Sequence, residues 1–411
     1  MRSLCLALIL LSDTLIGGMA VKGHVDITAQ AYLSHPQGKH ADNFTASTQI
    51  ELDYTEDDFE SIAKVSAQQD YYDLKGSSDH NDRSFVRLDE LYAKYDFEND
   101  QIMAGKNIRF WGALEVDNIV DSFNPDDLRS DLFDVDKLGA WNMAYTHYTD
   151  TGEFALIIKV DEQDQAIAAY PYVYYFFPSF VDYDKDLKTE KSRNRPSLYL
   201  KYSGSTESEY PLDYALIYEN GYDSQRYFIS SGPLNGLPVT FNIYAYLVNK
   251  VMSYNTLVVG STLFKLEALY ADVIDEKKIS DYYHLGLGVE HTLTQFCHQA
   301  DLGIIAEYYK YDTLEDDKYT DLELFEVFQN DLFLGLRYSF NEGNDASIVG
   351  GMIFDMDYDE QTYYLEYEGR LAETFKLNLD YRYIEPSQDT LTAFHLMKRH
   401  QRFSLKLGYY F

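Results

Sequence analysis

The chain has 411 residues, 68 acidic and 34 basic, for a formal net charge of −34, with 45% hydrophobic and 25% charged residues. That apolar content excludes a disordered chain, and so acidic a surface excludes a nucleic-acid partner, because phosphate is repelled and no Lys/Arg cluster offsets it. Tyrosine is the outlier, 39 Tyr with 24 Phe against 9 Pro, a composition that suits strands and membrane interfaces.

In chain order, residues 1–20 read as a secretory signal: Arg2 is the positive start, Leu4 to Ile16 the apolar stretch and Gly18-Met19-Ala20 a small-x-small cleavage site. Cys5 falls within it, which leaves Cys297 alone and no intramolecular disulfide. Residues 21–411 contain no linker and form one unit. From residue 22 the pattern is alternation. Phe44, Ala46, Thr48, Ile50, Leu52 and Tyr54 fall on one side of a strand, and Thr45, Ser47, Gln49, Glu51 and Asp53 on the other.

Two-sided segments of this kind are predicted near 22–33, 43–54, 59–71, 84–97, 99–110, 139–149, 152–161, 196–203 and 211–219. The series continues at 249–259, 262–271, 281–292, 299–311, 329–341, 345–357, 361–370, 373–384 and 400–411, making eighteen, with sixteen the close alternative. Strands of roughly 9–11 residues cross a bilayer when tilted. Connections after even strands are mostly short, whereas those after odd strands are mostly longer, at 111–138, 162–195, 220–248, 312–328 and 385–399. Short turns at one end and long loops at the other are the layout of an outer-membrane barrel. The expected fold is therefore all-β, a closed antiparallel transmembrane barrel, since hydrocarbon offers no partner to an open sheet edge.

With apolar faces to lipid, the opposite faces line a lumen. The predicted lining is Glu90, Lys94, Asn107, Arg109, Trp111, Lys265, Glu267, Glu290, Glu307, Arg337, Asp355, Glu366, Arg370, Arg382, Arg402 and Lys406. Basic positions crowd the last three strands, so cations on one wall and carboxylates on another would set up a transverse field. The long connection after the fifth strand contains Asp117, Asp121, Asn124, Pro125, Asp127 and Arg129; Asn124-Pro125 is a turn, and a connection too long for a hairpin is expected to fold inward and constrict the bore. The 162–195 connection is dense in rings, among them Tyr172, Tyr174, Tyr175, Phe176 and Phe177, which read either as a platform that captures apolar solutes or as interface anchors.

The run G-K-N-I-R-F-W-G at 105–112 followed by Asp117, Asp121 and F-N-P-D-D-L-R at 123–129 resembles an uncharacterised porin-like family of bacterial outer-membrane proteins. The last strand, with Phe403, Leu405, Leu407, Tyr409 and Phe411 on one face, resembles the C-terminal strand recognised by the barrel assembly machinery. The resemblance implies a bacterial outer-membrane channel and makes lipid, lipopolysaccharide and that machinery its partners.

The function expected is passive diffusion of small solutes or ions. The alternatives are a transporter of hydrophobic or aromatic compounds and a structural or adhesive surface barrel. No G-x-S-x-G, H-E-x-x-H or phosphate-binding glycine loop occurs, so catalysis is not expected. No cofactor is expected either. The acidic run Asp312, Glu315, Asp316, Asp317, Asp321 and Glu323 is the place where Ca²⁺ would find oxygen ligands. A homo-oligomer is compatible with the pattern, although outward faces that all look alike define no interface.

Overall fold

The computed structural model describes residues 18–75, 81–129, 135–175, 177, 180–231, 239–274, 276–315 and 326–411. The wall begins with β1 (Met19–Ser34), β2 (Asn43–Glu56), β3 (Phe59–Asp70), β4 (Phe85–Phe97), β5 (Asp100–Asn107) and β6 (Ala140–Thr149). It continues with β7 (Gly152–Lys159), β8 (Ser197–Ser205), β9 (Leu212–Tyr222), β10 (Leu247–Val259), β11 (Thr262–Val273) and β12 (Tyr282–Cys297). The last six are β13 (Ala300–Thr313), β14 (Asn330–Ser339), β15 (Ser347–Asp355), β16 (Gln361–Ala372), β17 (Phe375–Glu385) and β18 (His400–Tyr410).

Each strand pairs antiparallel with the next, and β1 pairs with β18 from His24↔Tyr410 to Ser34↔Gln401, so the 18-stranded sheet closes on itself. The sixteen-strand alternative is set aside. Closure leaves no unpaired edge, and the pleat then decides what meets the outside. Ile27, Phe44, Met143, Leu216, Val251, Leu334, Leu365 and Leu405 are all exposed on the outward pleat, a continuous apolar band that only hydrocarbon can cover. Tight turns such as Asp57-Asp58 and Glu98-Asn99 join β2 to β3 and β4 to β5, with positive φ at Asp57 and Glu98, the backbone sign that two-residue hairpins require. The register shifts between Lys64 and Val65, which pair with Glu90 and Leu88. The extra residue turns both Asp89 and Glu90 into the interior, where both are buried.

At the long-loop end the structure departs from a simple set of loops. Val181–Thr189, Tyr227–Ser231 and Val239–Ala245 form a separate three-stranded sheet above the wall, and Val181–Thr189 runs parallel to Val239–Ala245. Alternation in these short segments is masked by the ring-rich composition around them, which is why they read as plain connections.

Candidate constriction and lumen

The connection between β5 and β6 is built as a strap. Asn124 clasps its two feet: its side-chain oxygen accepts from Arg109 N at 2.8 Å, and its amide donates to Asn107 O at 3.1 Å and Leu138 O at 2.9 Å. Between those feet the chain crosses the interior and meets the far wall. Ala113 N, Leu114 N and Val120 N donate to the Glu267 carboxylate of β11 at 2.5, 3.0 and 3.3 Å. Glu115 N and Val116 N donate to Glu307 of β13 at 2.8 and 3.2 Å. Tyr309 completes the contact, its hydroxyl donating to Glu307 at 2.7 Å and accepting from Asp117 N at 3.2 Å. Asp126–Leu128, at the foot of the strap, pairs with Asp136–Lys137 and Ala166–Ile167 in a small sheet, but the crossing segment 113–120 has no ladder partner, so wall carboxylates satisfy its N–H groups instead.

A socket fixes the register of this contact. Cβ atoms added at Gly286 and Gly288 of β12 would lie 2.4 and 2.8 Å from the Leu114 methyls, so only glycine at both inward positions admits the Leu114 knob. The strap then makes its polar contact with the open side. Glu115 lies 2.5 Å from Arg337 of β14, Arg337 lies 2.9 Å from Glu290, and Glu290 lies 3.1 Å from Lys265. Burial raises the carboxyl of Asp121 above its ordinary range, against the pull of Lys137 at 3.6 Å.

The strap divides the interior into unlike halves. On the β6 to β13 side it packs Trp111, Val120 and Phe123 against Ile157, Tyr199, Ile217, Met252 and Leu269. Below the upper loops the same side holds buried ion pairs, Lys159 with Glu162 at 2.8 Å and Lys250 with Asp223 at 2.6 Å, and Arg226 also pairs with Glu162. Tyr282 donates to Asp223 at 2.8 Å and Tyr199 to Glu219 at 3.0 Å. This half is a packed core.

Several predicted lining residues therefore move to another role. Trp111 is 4% exposed, Glu267 0% and Glu307 1%, and Asn107 is buried as well; they hold the strap and meet no open water. Inward parity was read correctly for them, but what covers an inward residue depends on where a distant loop lands. Asp355 is buried near the loop end and accepts from Gln329 at 2.6 Å, and Arg370 bonds Asp345 at 3.1 Å beside a short turn.

On the remaining wall, β14 to β18 and β1 to β4, Arg337, Lys94, Lys376 and Lys64 stay partly solvated, their side chains 31%, 28%, 28% and 22% exposed. Lys64 contacts Glu90 at 2.8 Å and Glu51 at 3.0 Å, Lys94 contacts Glu60 at 2.8 Å, and Lys376 contacts Glu368 at 2.6 Å. Glu90, Arg382 and Arg402, expected in the lining, are instead buried: a register shift turns Glu90 in beside Asp89, Arg402 pairs with Asp380 beneath the inward-turned Tyr174, and Arg382 lies 3.9 Å from the same carboxylate, with which Glu366 is in register. Lys406 is in register with Asn378 and Thr28 on this wall and has no carboxylate within 4.0 Å among the described residues.

The aromatic connection is turned inward. Tyr172 and Tyr174 are buried with Tyr32, Tyr174 accepts from Arg402 at 2.8 Å, and the Arg83 guanidinium lies 4.2 Å from the Tyr172 ring centroid. Tyr175 and Phe177 pack with Tyr183. A capture platform needs open ring faces, and burial against the mouth takes these up; Phe176 lies outside the described residues. Asp127 and Arg129 pair with each other, Asp127 also with Arg87, while Arg129 covers the Phe85 ring at 4.0 Å. Asp316, Asp317, Asp321 and Glu323 lie outside the described residues, among which no group of three His, Cys, Asp or Glu is disposed to hold a metal. Sequence reasoning missed the buried pairs of Lys159 and Lys250. It also missed the Gly286/Gly288 socket, whose signal was glycine at two successive inward positions.

No family model and no curated protein matches the chain. Among solved structures it is similar to a BenF-like porin from Pseudomonas fluorescens Pf-5, at 8% identity over 97% of this chain and 99% of that one, with a TM-score of 0.57. Acinetobacter baumannii OccAB2 gives 10%, 97% and 99% with a TM-score of 0.56, and Pseudomonas aeruginosa OccK3 gives 8%, 96% and 95% with 0.55. Closed ring, inward strap and these likenesses together give the chain the fold of an outer-membrane porin barrel.

Proposed function

We propose that the protein is an outer-membrane channel through which small polar solutes diffuse down their gradients. The observation that carries this reading is the asymmetry of the interior: the strap is sealed to one wall by Glu267 and Glu307, and the wall it leaves free bears partly solvated charges. Such charges replace part of a solute's hydration, and the strap limits its size. Because most of those charges stand in pairs, the wall's field is that of dipoles, and ion preference is weak. The net −34 draws cations to the mouth and adds a cation bias at low salt.

Purified barrel in planar bilayers tests the reading. Steady openings are expected, with a reversal potential in a salt gradient that favours cations slightly and fades as ionic strength rises. Folded, inserted protein that never conducts would overturn it. Carriage of hydrophobic compounds has no comparable support, since Tyr172, Tyr174, Tyr175 and Phe177, the described rings of the expected capture platform, are buried.

A further inference from the structure

A second feature of the lumen lies off this route, at the short-turn end and under the packed half. A recess of about 440 Å³ is lined by Tyr148, Glu153, Ser203, Ser205, Asp213 and Tyr254. Register puts these six on the inward pleat, Tyr148 facing Glu153, Glu153 facing Ser203, and Ser205 facing Asp213 across adjacent strands, and Thr149, Gly152, Gly204 and Tyr214, of the opposite parity, complete the open rim. The top is closed because Tyr254 packs against the cluster that contains Trp111 and Phe123. The recess is therefore blind, and a blind recess contributes nothing to conduction.

Its lining nonetheless has a composition that filling alone does not require. Tyr148 is 40% exposed, and the hydroxyls of Tyr148 and Tyr254 bond no protein atom among the described residues. Glu153 accepts from Ser203 at 2.9 Å and from Lys201 at 3.2 Å, so its charge is balanced and its second oxygen is available as an acceptor. Asp213 accepts from Ser205. Gly152 and Gly204 stand close against the neighbouring backbone: a Cβ at either would come within 2.3–2.4 Å of the carbonyl of Ser203 or Thr151. Any larger residue would push these strands apart at the rim.

We propose that this recess binds a small neutral polyhydroxylated solute, of the size of a mono- or disaccharide, on the exit side of the constriction. Ring faces take the C–H side of a sugar, while carboxylates and hydroxyls placed around them take its O–H groups. The volume sits at the low end of ligand sites, roughly 300–1,000 Å³. An anion is disfavoured by two carboxylates against one lysine, and the Lys201 contact argues against a cation at Glu153. The proposal rests on the channel reading only in calling this end the exit.

Calorimetry on the detergent-solubilised full chain, with glucose and maltose as probes, tests it without needing conduction. Expected are saturable heat in the millimolar range, at least tenfold weaker binding in Tyr148→Ala and Asp213→Ala, and retention in Tyr148→Phe, which keeps the platform and guards against a folding artefact. No saturable heat with either sugar, equal heat in Tyr148→Ala and wild type, or heat with choline in place of sugar would overturn it. Parallel bilayer recordings separate the two readings. Conduction without sugar binding removes this site alone, and sugar binding without conduction removes the channel.

Discussion

Glu267→Ala is the perturbation that tests the strap most directly. The substitution removes the acceptor of Ala113 N, Leu114 N and Val120 N in a place where Glu267 itself is wholly buried. A buried donor left without a partner costs about 1–3 kcal/mol, so three of them cost roughly 3–9 kcal/mol if the strap stays in place. Against that stand the two N–H bonds to Glu307 and the burial of Leu114, for which truncation of a buried leucine gives a scale of about 2–5 kcal/mol. The opposing quantities are of the same order. The strap should therefore leave the wall for a substantial part of the time, and should leave it almost entirely when Leu114→Ala is added.

Single-channel recording reads this out. Glu267→Ala should show larger and noisier openings than wild type, the double variant openings as large as those of a chain lacking residues 116–136, and Glu267→Gln an intermediate trace, since the amide oxygen still accepts from Ala113 N and Leu114 N while its NH2 faces Val120 N. A folded Glu267→Ala barrel with unchanged conductance and noise, alongside a deletion that does raise conductance, would refute the role given to this carboxylate. An unchanged deletion would refute the strap as a constriction altogether.

Two other substitutions probe different parts of the interior. Arg337→Gln removes the partner of Glu115 and one partner of Glu290; the reversal potential in a salt gradient should move toward cations, by less at high salt. An unchanged potential would mean that solutes do not pass these groups. Lys250→Ala leaves Asp223 buried without its cation, a change that typically costs about 3–5 kcal/mol. Thermal unfolding should shift down accordingly, and Lys250→Met should shift it less because the methionine refills the space; equal stability of all three would contradict the buried pair.

The wall was legible in the sequence because a period of two is local. Phe44 to Tyr54 show their lipid face without reference to any other strand, and the eighteen predicted segments coincide with the eighteen strands observed. The turn at Asn124-Pro125 was legible for the same reason. The fate of the inward face was not. Glu267 and Lys64 both lie on the inward pleat of their strands, yet one is covered by a strap from β5 and the other meets water, and nothing within either strand distinguishes them. Rings in the 162–195 connection were visible by their number, but whether they stand open or fold into the mouth depends on Tyr32, Arg83 and Arg402, which are far away in the chain.

These contacts sort the interior acids into two kinds. Glu267 and Glu307 answer a backbone requirement: a chain segment placed inside a closed barrel brings N–H groups that no strand can pair, and a carboxylate satisfies several at once. Glu115, Glu290 and Glu368 answer a charge requirement, each set against Arg337 or Lys376 on the partly solvated wall. The first kind decides where the strap lies and hence how wide the passage is; the second decides the field a solute meets along it. Bore and charge preference are thus carried by different residues on different strands, so either can change in a related sequence while the other is kept, with the eighteen-strand ring common to both.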